Sequence, residues 1–184
     1  MIYSAFKKQV NLKIEVGLNF ITHLSKEATT GRNSYDFDVF LPSIGKNLQR
    51  PLVWSLLQKQ QLIFSVLKGN PIGNISVIIQ HEVNGNFSNH FEVIDGKQRL
   101  TTLFSFVKNE FPIEWNGKEY FFQDLDKEDR YTIESVFPKF NIVHAYPDEV
   151  VSDEQKIAWF EMINFSGTPQ EAEHLSSLKN GKHI

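Results

Sequence analysis

Hydrophobic and polar positions along the chain change period several times, and each change predicts an element. Ile14, Leu18, Ile21 and Leu24 recur at helical spacing before the breaker-rich stretch Thr29 to Ser34, which predicts a first helix. Phe37, Val39 and Leu41 then alternate with Asp36, Asp38 and Phe40, predicting a strand that runs into Pro42. From Ser55 the period becomes helical again, with Leu56, Leu57, Ile63, Val66 and Leu67 on one side. Ser55 and Gln58 have the spacing of a capping box, and Gly69-Asn70-Pro71 ends the helix. Ile75, Val77 and Ile79 predict a strand whose partner, Phe91 to Ile94, returns across a turn at Asn84-Gly85-Asn86.

Directly after Asp95-Gly96, the stripe Leu100, Leu103, Phe104 and Val107 predicts a helix. Asn116-Gly117 is a strong hairpin signal between 111–115 and 118–122. A short charged helix around Leu125 to Val136 follows, then a strand at Phe140 to Val143. A helix at Ser152 to Phe165, capped by Ser152 with Gln155, comes next, and a further helix start stands at Thr168-Pro169-Gln170-Glu171. Strands and helices mix without strict alternation or internal repeat, so the expected fold class is α+β. The expected organisation is a helical lead-in over 1–34 and a domain over 35–184, forming one globular unit.

Composition narrows the function classes. The 184 residues contain no cysteine, which excludes a disulfide framework, a thiolate nucleophile and Cys-ligated zinc or iron–sulfur sites, and suits a reducing cytosol. No apolar run approaches the roughly 18 residues of a membrane span, so a cytoplasmic protein is expected. The net charge of −3 hides a split. Residues 1–69 hold nine basic and four acidic side chains, and residues 70–184 hold ten and eighteen. Weak, salt-sensitive DNA contact is the most that the positive portion predicts.

Three segments could carry chemistry. In Val93-Ile94-Asp95-Gly96-Lys97-Gln98-Arg99-Leu100-Thr101-Thr102, a strand hands over to a helix whose first turn presents unpaired N–H groups to an anion. Gly96 would permit close backbone approach, Lys97 and Arg99 would add cationic donors, and Asp95 could hold Mg²⁺ or orient a water. The alternative is that Asp95 only caps the helix while Arg99 pairs with a surface carboxylate. In Gln49-Arg50-Pro51-Leu52-Val53-Trp54, an amide, a guanidinium and an indole could meet a base edge, a phosphodiester and a base face. Alternatively, Val53 and Trp54 staple the next helix to the core while Arg50 snorkels. Asn164, Ser166 and Thr168 either border a ligand site or punctuate a helix end.

The six histidines, His23, His81, His90, His144, His174 and His183, have no metal-binding spacing. There is also no serine elbow and no P-loop.

Taken in order, Gln49-Arg50-Pro51-Leu52-Val53-Trp54, Gly69-Asn70-Pro71-Ile72, Asp95-Gly96-Lys97-Gln98-Arg99-Leu100-Thr101-Thr102-Leu103 and Ile163-Asn164-Phe165-Ser166-Gly167-Thr168-Pro169 resemble the N-terminal domain family of GmrSD-type modification-dependent restriction enzymes. The resemblance covers about residues 37 to 175. It implies a ParB/sulfiredoxin-like mixed sheet with packed helices and a restriction-modification or phage-defence setting. It also implies binding of an NTP (GTP, UTP, CTP or ATP) with Mg²⁺, and its hydrolysis.

On that resemblance Asp95, Gln98 and Arg99 would be catalytic, with Asp95 the metal ligand. Gly96, Lys97, Arg99, Thr101 and Thr102 would hold phosphate. Gln49, Arg50, Trp54, Asn164 and Thr168 would border the cleft that senses DNA. Lys97 stands where the family has glutamine, so an ammonium that can meet phosphate replaces an amide that can position water. The family's restriction members continue into a helical region and an HNH-type nuclease domain, and nothing of that kind follows Gly181. The expectation is a nucleotide-binding sensor domain without nuclease activity of its own. The alternative is a non-catalytic DNA- or protein-binding module, encoded by a phage or mobile element, that modulates a separate nuclease or defence-complex chain.

Overall fold

The computed structural model describes residues 12–18, 33–81, 89–136, 138–146 and 150–165. Five strands form the main sheet: β1 (Ile14–Leu18), β2 (Asn33–Asp36), β5 (Ile75–Gln80), β6 (Asn89–Asp95) and β9 (Lys139–Ala145), in the order β1-β9-β5-β6-β2. Pairing is antiparallel for β1 with β9 and β5 with β6, and parallel for β9 with β5 and β6 with β2. Two short ladders accompany it: β3 (Phe40–Leu41) with β4 (Lys46–Asn47), and β7 (Ile113–Trp115) with β8 (Lys118–Tyr120). The described helices are α1 (Leu56–Leu67), α2 (Lys97–Val107), α3 (Lys127–Glu134) and α4 (Asp153–Phe165). The protein is therefore α+β with a mixed sheet, and no described helix is long and apolar enough to cross a membrane.

The central strand explains the layering. Residues Ile75 to Ile79 of β5 are all buried, the pattern of a strand covered on both faces. Ile75, Val77 and Ile79 join Val93, Phe91 and Phe140 in a core closed by Ile63 and Val66 of α1 and by Leu100, Leu103 and Phe106 of α2. Ile78 and Ile94 point the other way, into a second core with Val39, Leu41 and Leu48 and with Ile157, Trp159 and Phe160 of α4. The polar Ser76 falls on this strand because Asn141, its register partner on β9, donates from Nδ2 to its hydroxyl at 3.2 Å.

Local signals succeed where side chains satisfy backbone groups nearby. Ser55 accepts from the Gln58 N–H while the Gln58 amide oxygen accepts from the Ser55 N–H, closing the expected capping box of α1. Ser152 and Gln155 repeat the arrangement before α4. Asn116 and Gly117, at φ 52° and 72°, make the tight turn between β7 and β8.

Other expectations are corrected. Residues 14–18 form a strand, not the first turns of a helix. The four-residue repeat of Ile14 and Leu18 fits either period, and pairing with β9 decides. Gly17 makes that pairing close: a Cβ there would meet Ile142 Cδ1 at 2.7 Å. Ile21 and Leu24 lie outside the described residues, as do the turn at 84–86 and the start at Thr168. β1 is an edge strand of the common sheet, and β2 begins at Asn33.

The strand expected over 37–41 is displaced to β2 and the two-residue β3, although Val39 and Leu41 are buried and Phe40 is exposed, as the alternation requires. Leu56 and Leu57, expected on the core side of α1, are more than half exposed because the first turn of the helix lies outside the core.

Candidate functional site

The left-handed Gly96, at φ +101° and ψ 5°, turns β6 directly into α2. No side chain caps the helix there, so the N–H groups of its first turn keep their anion-binding capacity. Gly96 is also demanded by packing. A Cβ at this position would lie 2.4 Å from Cδ1 of the buried Ile75, the first residue of the central strand β5. Close approach of a ligand is therefore not needed to explain the glycine.

A small cleft of about 140 Å³ opens at this junction, lined by Gln49, Arg50 and Trp54 on one side and by Asp95 to Arg99 on the other. Tertiary structure thus brings together two segments that are separated by more than 40 residues in the chain. Gln98 holds them in register. Its Nε2 donates to the Pro51 carbonyl at 2.9 Å, and its Oε1 accepts from the N–H groups of Val53 and Trp54 at 3.3 and 3.4 Å. Gln49, almost fully buried, anchors the same loop by donating its amide to the Val93 carbonyl.

Charges in the cleft are mostly paired. Lys97, only 4% exposed, extends its ammonium to Asp38 on the loop after β2. Arg99 bonds the Asp95 carboxylate at 2.6 Å and the Ile72 carbonyl at 2.8 Å. Asp95 is therefore not the cap of α2. It is the partner of Arg99, one helical turn away. Gly73 makes room for the guanidinium, since a Cβ there would lie 2.7 Å from Arg99 Nη1. Arg50 forms no hydrogen bond or ion pair among the described residues, so it is the cleft's uncompensated charge.

Other candidates lie elsewhere. Thr102 is buried and donates to the Gln98 carbonyl at 2.7 Å, turned toward its own helix, and neither it nor Thr101 lines the cleft. The Thr101 hydroxyl is buried without a hydrogen-bond partner among the described residues. Asn164 donates back to the Phe160 carbonyl at 2.7 Å near the end of α4 and is likewise not brought to the cleft. Thr168 lies outside the described residues. Val53 is half exposed and does not staple α1 to the core.

Sequence reasoning missed Asp38 and the Ile72 carbonyl, which hold the two cations, and Gly73, which makes room for one of them. Gly73, two residues after Pro71, was the one visible hint. It also missed that His81, directly after β5, meets His144 of β9, with Nε2 and Nδ1 2.8 Å apart.

A family model described as the GmrSD restriction endonuclease N-terminal domain matches residues 32–177. The chain belongs to this family. No curated protein and no solved structure matches it. Within this GmrSD N-terminal domain, both walls of the cleft fall inside the matched range, as do the Asp38 and Gly73 supports. Membership makes it a domain of restriction-system type.

Proposed function

We propose that the cleft binds the phosphate end of a nucleoside triphosphate. The observation that carries this is the coincidence, in one small cleft, of an uncapped helix N-terminus and the guanidinium of Arg50, which has no partner among the described residues. Arg99 and Lys97 are already neutralised by Asp95 and Asp38, so the net attraction for an anion comes from Arg50 and the helix start. Pockets that enclose a drug-sized molecule run about 300–1,000 Å³. At about 140 Å³ this cleft takes a phosphate-sized group, leaving sugar and base outside, within reach of the half-buried Trp54.

The residues fit a Mg²⁺ that arrives with the triphosphate better than a resident ion. Among the described residues no group of three or more His, Asp or Glu could hold a metal. Asp95 engages Arg99 through Oδ2 and would offer its other oxygen, and Mg²⁺ is commonly held by one or two carboxylates plus phosphate oxygens. When bound, such an ion offsets phosphate charge. Binding rather than turnover is the reading supported, because the Gln98 amide that would orient a water is engaged at both ends by the 51–54 loop.

A thermal-shift titration with ATP, GTP, CTP and UTP plus Mg²⁺ tests the proposal. A ligand at 100 times its Kd stabilises by about 2.7 kcal/mol. Arg50→Ala should abolish that shift without lowering the unliganded melting temperature, whereas Arg99→Ala should lower both. No shift with any nucleotide refutes the reading. Phosphate release from wild type that exceeds that of Asp95→Ala and Arg99→Ala would add hydrolysis.

A second reading, a protein-docking module, is favoured by Leu52, Val53, Leu56 and Leu57. All four are at least half exposed and run from the cleft loop onto the first turn of α1. Here the partner is a separate nuclease or defence-complex chain. Leu56→Glu with Leu57→Glu should break co-purification with that chain while leaving the nucleotide shift intact.

A further inference from the structure

A larger cavity, of about 500 Å³, lies between the C-terminal half of α1, the β7–β8 hairpin and the start of α3, and shares no residue with the Arg50 cleft. We propose that it binds an aliphatic polyamine.

Its walls are aromatic. Trp115, next to the hairpin turn, touches Phe64 at 5.9 Å between ring centroids in a tilted contact, yet remains 58% exposed, and Tyr120 stands on the opposite strand. A large indole kept half in water beside an open cavity is an apolar surface ready for a ligand's methylene chain.

Its rim is acidic. Asp124, Asp126 and Asp129 all line it. The first two accept from the N–H groups of Phe121 and Asp129, and these roles as local caps leave their negative charge unneutralised. None of the three forms an ion pair among the described residues; Lys68 of α1 lines the cavity with them, and the Lys118 ammonium stands over the lining Tyr120 ring. Three carboxylates against these two ammonium groups leave the rim favouring a cation over an anion.

A metal ion does not answer the description, since among the described residues no three carboxylates and histidines are placed to hold one. Separated carboxylates along an aromatic wall match several ammonium groups joined by methylenes. The hairpin shows the contact in miniature: the Lys118 ammonium sits 4.9 Å from the centroid of the Tyr120 ring.

Calorimetric titration of the purified chain with spermidine tests the proposal, with 1,8-octanediol as the uncharged counterpart and Mg²⁺ at matched ionic strength as the purely ionic one. Saturable 1:1 binding of spermidine is expected, with at least tenfold weaker response to either comparison compound. Trp115→Ala should weaken binding at least fivefold, and Asp124→Asn with Asp129→Asn at least tenfold, while Arg50→Ala leaves it unchanged. Unaltered melting temperatures show that the variants are folded, and Trp115→Phe, which keeps an aromatic face, should restore most of the affinity lost in Trp115→Ala. Absence of spermidine binding, equal binding of Mg²⁺, or equal affinity in all variants overturns the proposal.

Discussion

Replacing Gly96 by alanine isolates what holds the strand-to-helix turn together. Two costs combine. At φ +101° an L-residue is strained, by roughly 1–2 kcal/mol on the scale of left-handed backbone. The added Cβ would also stand 2.4 Å from Ile75 Cδ1 and 3.2 Å from Ile75 Cγ2, and overpacking of that kind costs about 1–3 kcal/mol. A total of about 2–5 kcal/mol is a large share of the 5–15 kcal/mol typical of a domain.

The two costs can be separated. Ile75→Val removes the closest atom, at an intrinsic cost of about 0.5–1.5 kcal/mol. The double variant should therefore be less destabilised than the sum of the singles by about 1 kcal/mol or more. Gly45→Ala serves as a control, because its φ is also positive, at +64°, but nothing lies within 4 Å of the added atom. Urea denaturation of the four proteins and the wild type gives all the terms. Strict additivity, or equal losses for Gly96→Ala and Gly45→Ala, would refute the claim that Ile75 dictates the glycine.

Other consequences are equally open to measurement. Gln98→Ala should release the 51–54 loop, seen as faster hydrogen exchange of the Val53 and Trp54 amides, with little change at Gln49, whose anchor is Val93. Glu92→Ala should destabilise the chain by about 3 kcal/mol. It strands the nearly buried Lys156 ammonium of α4, which Glu92 meets at 2.8 Å, and Lys156→Met in the same background should recover much of the loss by urea denaturation. The His81 imidazole is held below its ordinary pKa, first by burial and then by the neighbouring His144. The folded state thus binds fewer protons than the unfolded chain in the window below about pH 6.5. Stability at His81 is full above that pH and falls as the pH drops toward the lowered value, a slope that His81→Gln should flatten and that denaturant midpoints between pH 7.5 and 5 will show.

Legibility followed the range of the interactions. The capping boxes at Ser55 and Ser152, the Asn116-Gly117 turn and the handover from Asp95-Gly96 into α2 each depend on residues within a few positions, and all were readable. Residues 14–18 were not, because a repeat of four serves helix and strand alike and the deciding partner, β9, lies more than 120 residues away. In the cleft, the chain itself named Gln49, Arg50, Trp54 and Asp95 to Arg99 as the chemistry-bearing groups, and the structure gathers all of them. It also named Thr101, Thr102 and Asn164, whose helical phase turns Thr102 and Asn164 to their own backbones.

By itself, then, the sequence determined the α+β class, the helix caps, the family and the pair of segments that would face each other. Only the tertiary structure decided which charges are left over. Asp38 reaches Lys97 from 59 positions away, and Asp95 and the Ile72 carbonyl take Arg99, so the residual attraction for an anion falls to Arg50 and the start of α2. Pairing of charges depends on distances between segments that no local pattern records, and in a cleft this small it decides which side chain can meet a ligand.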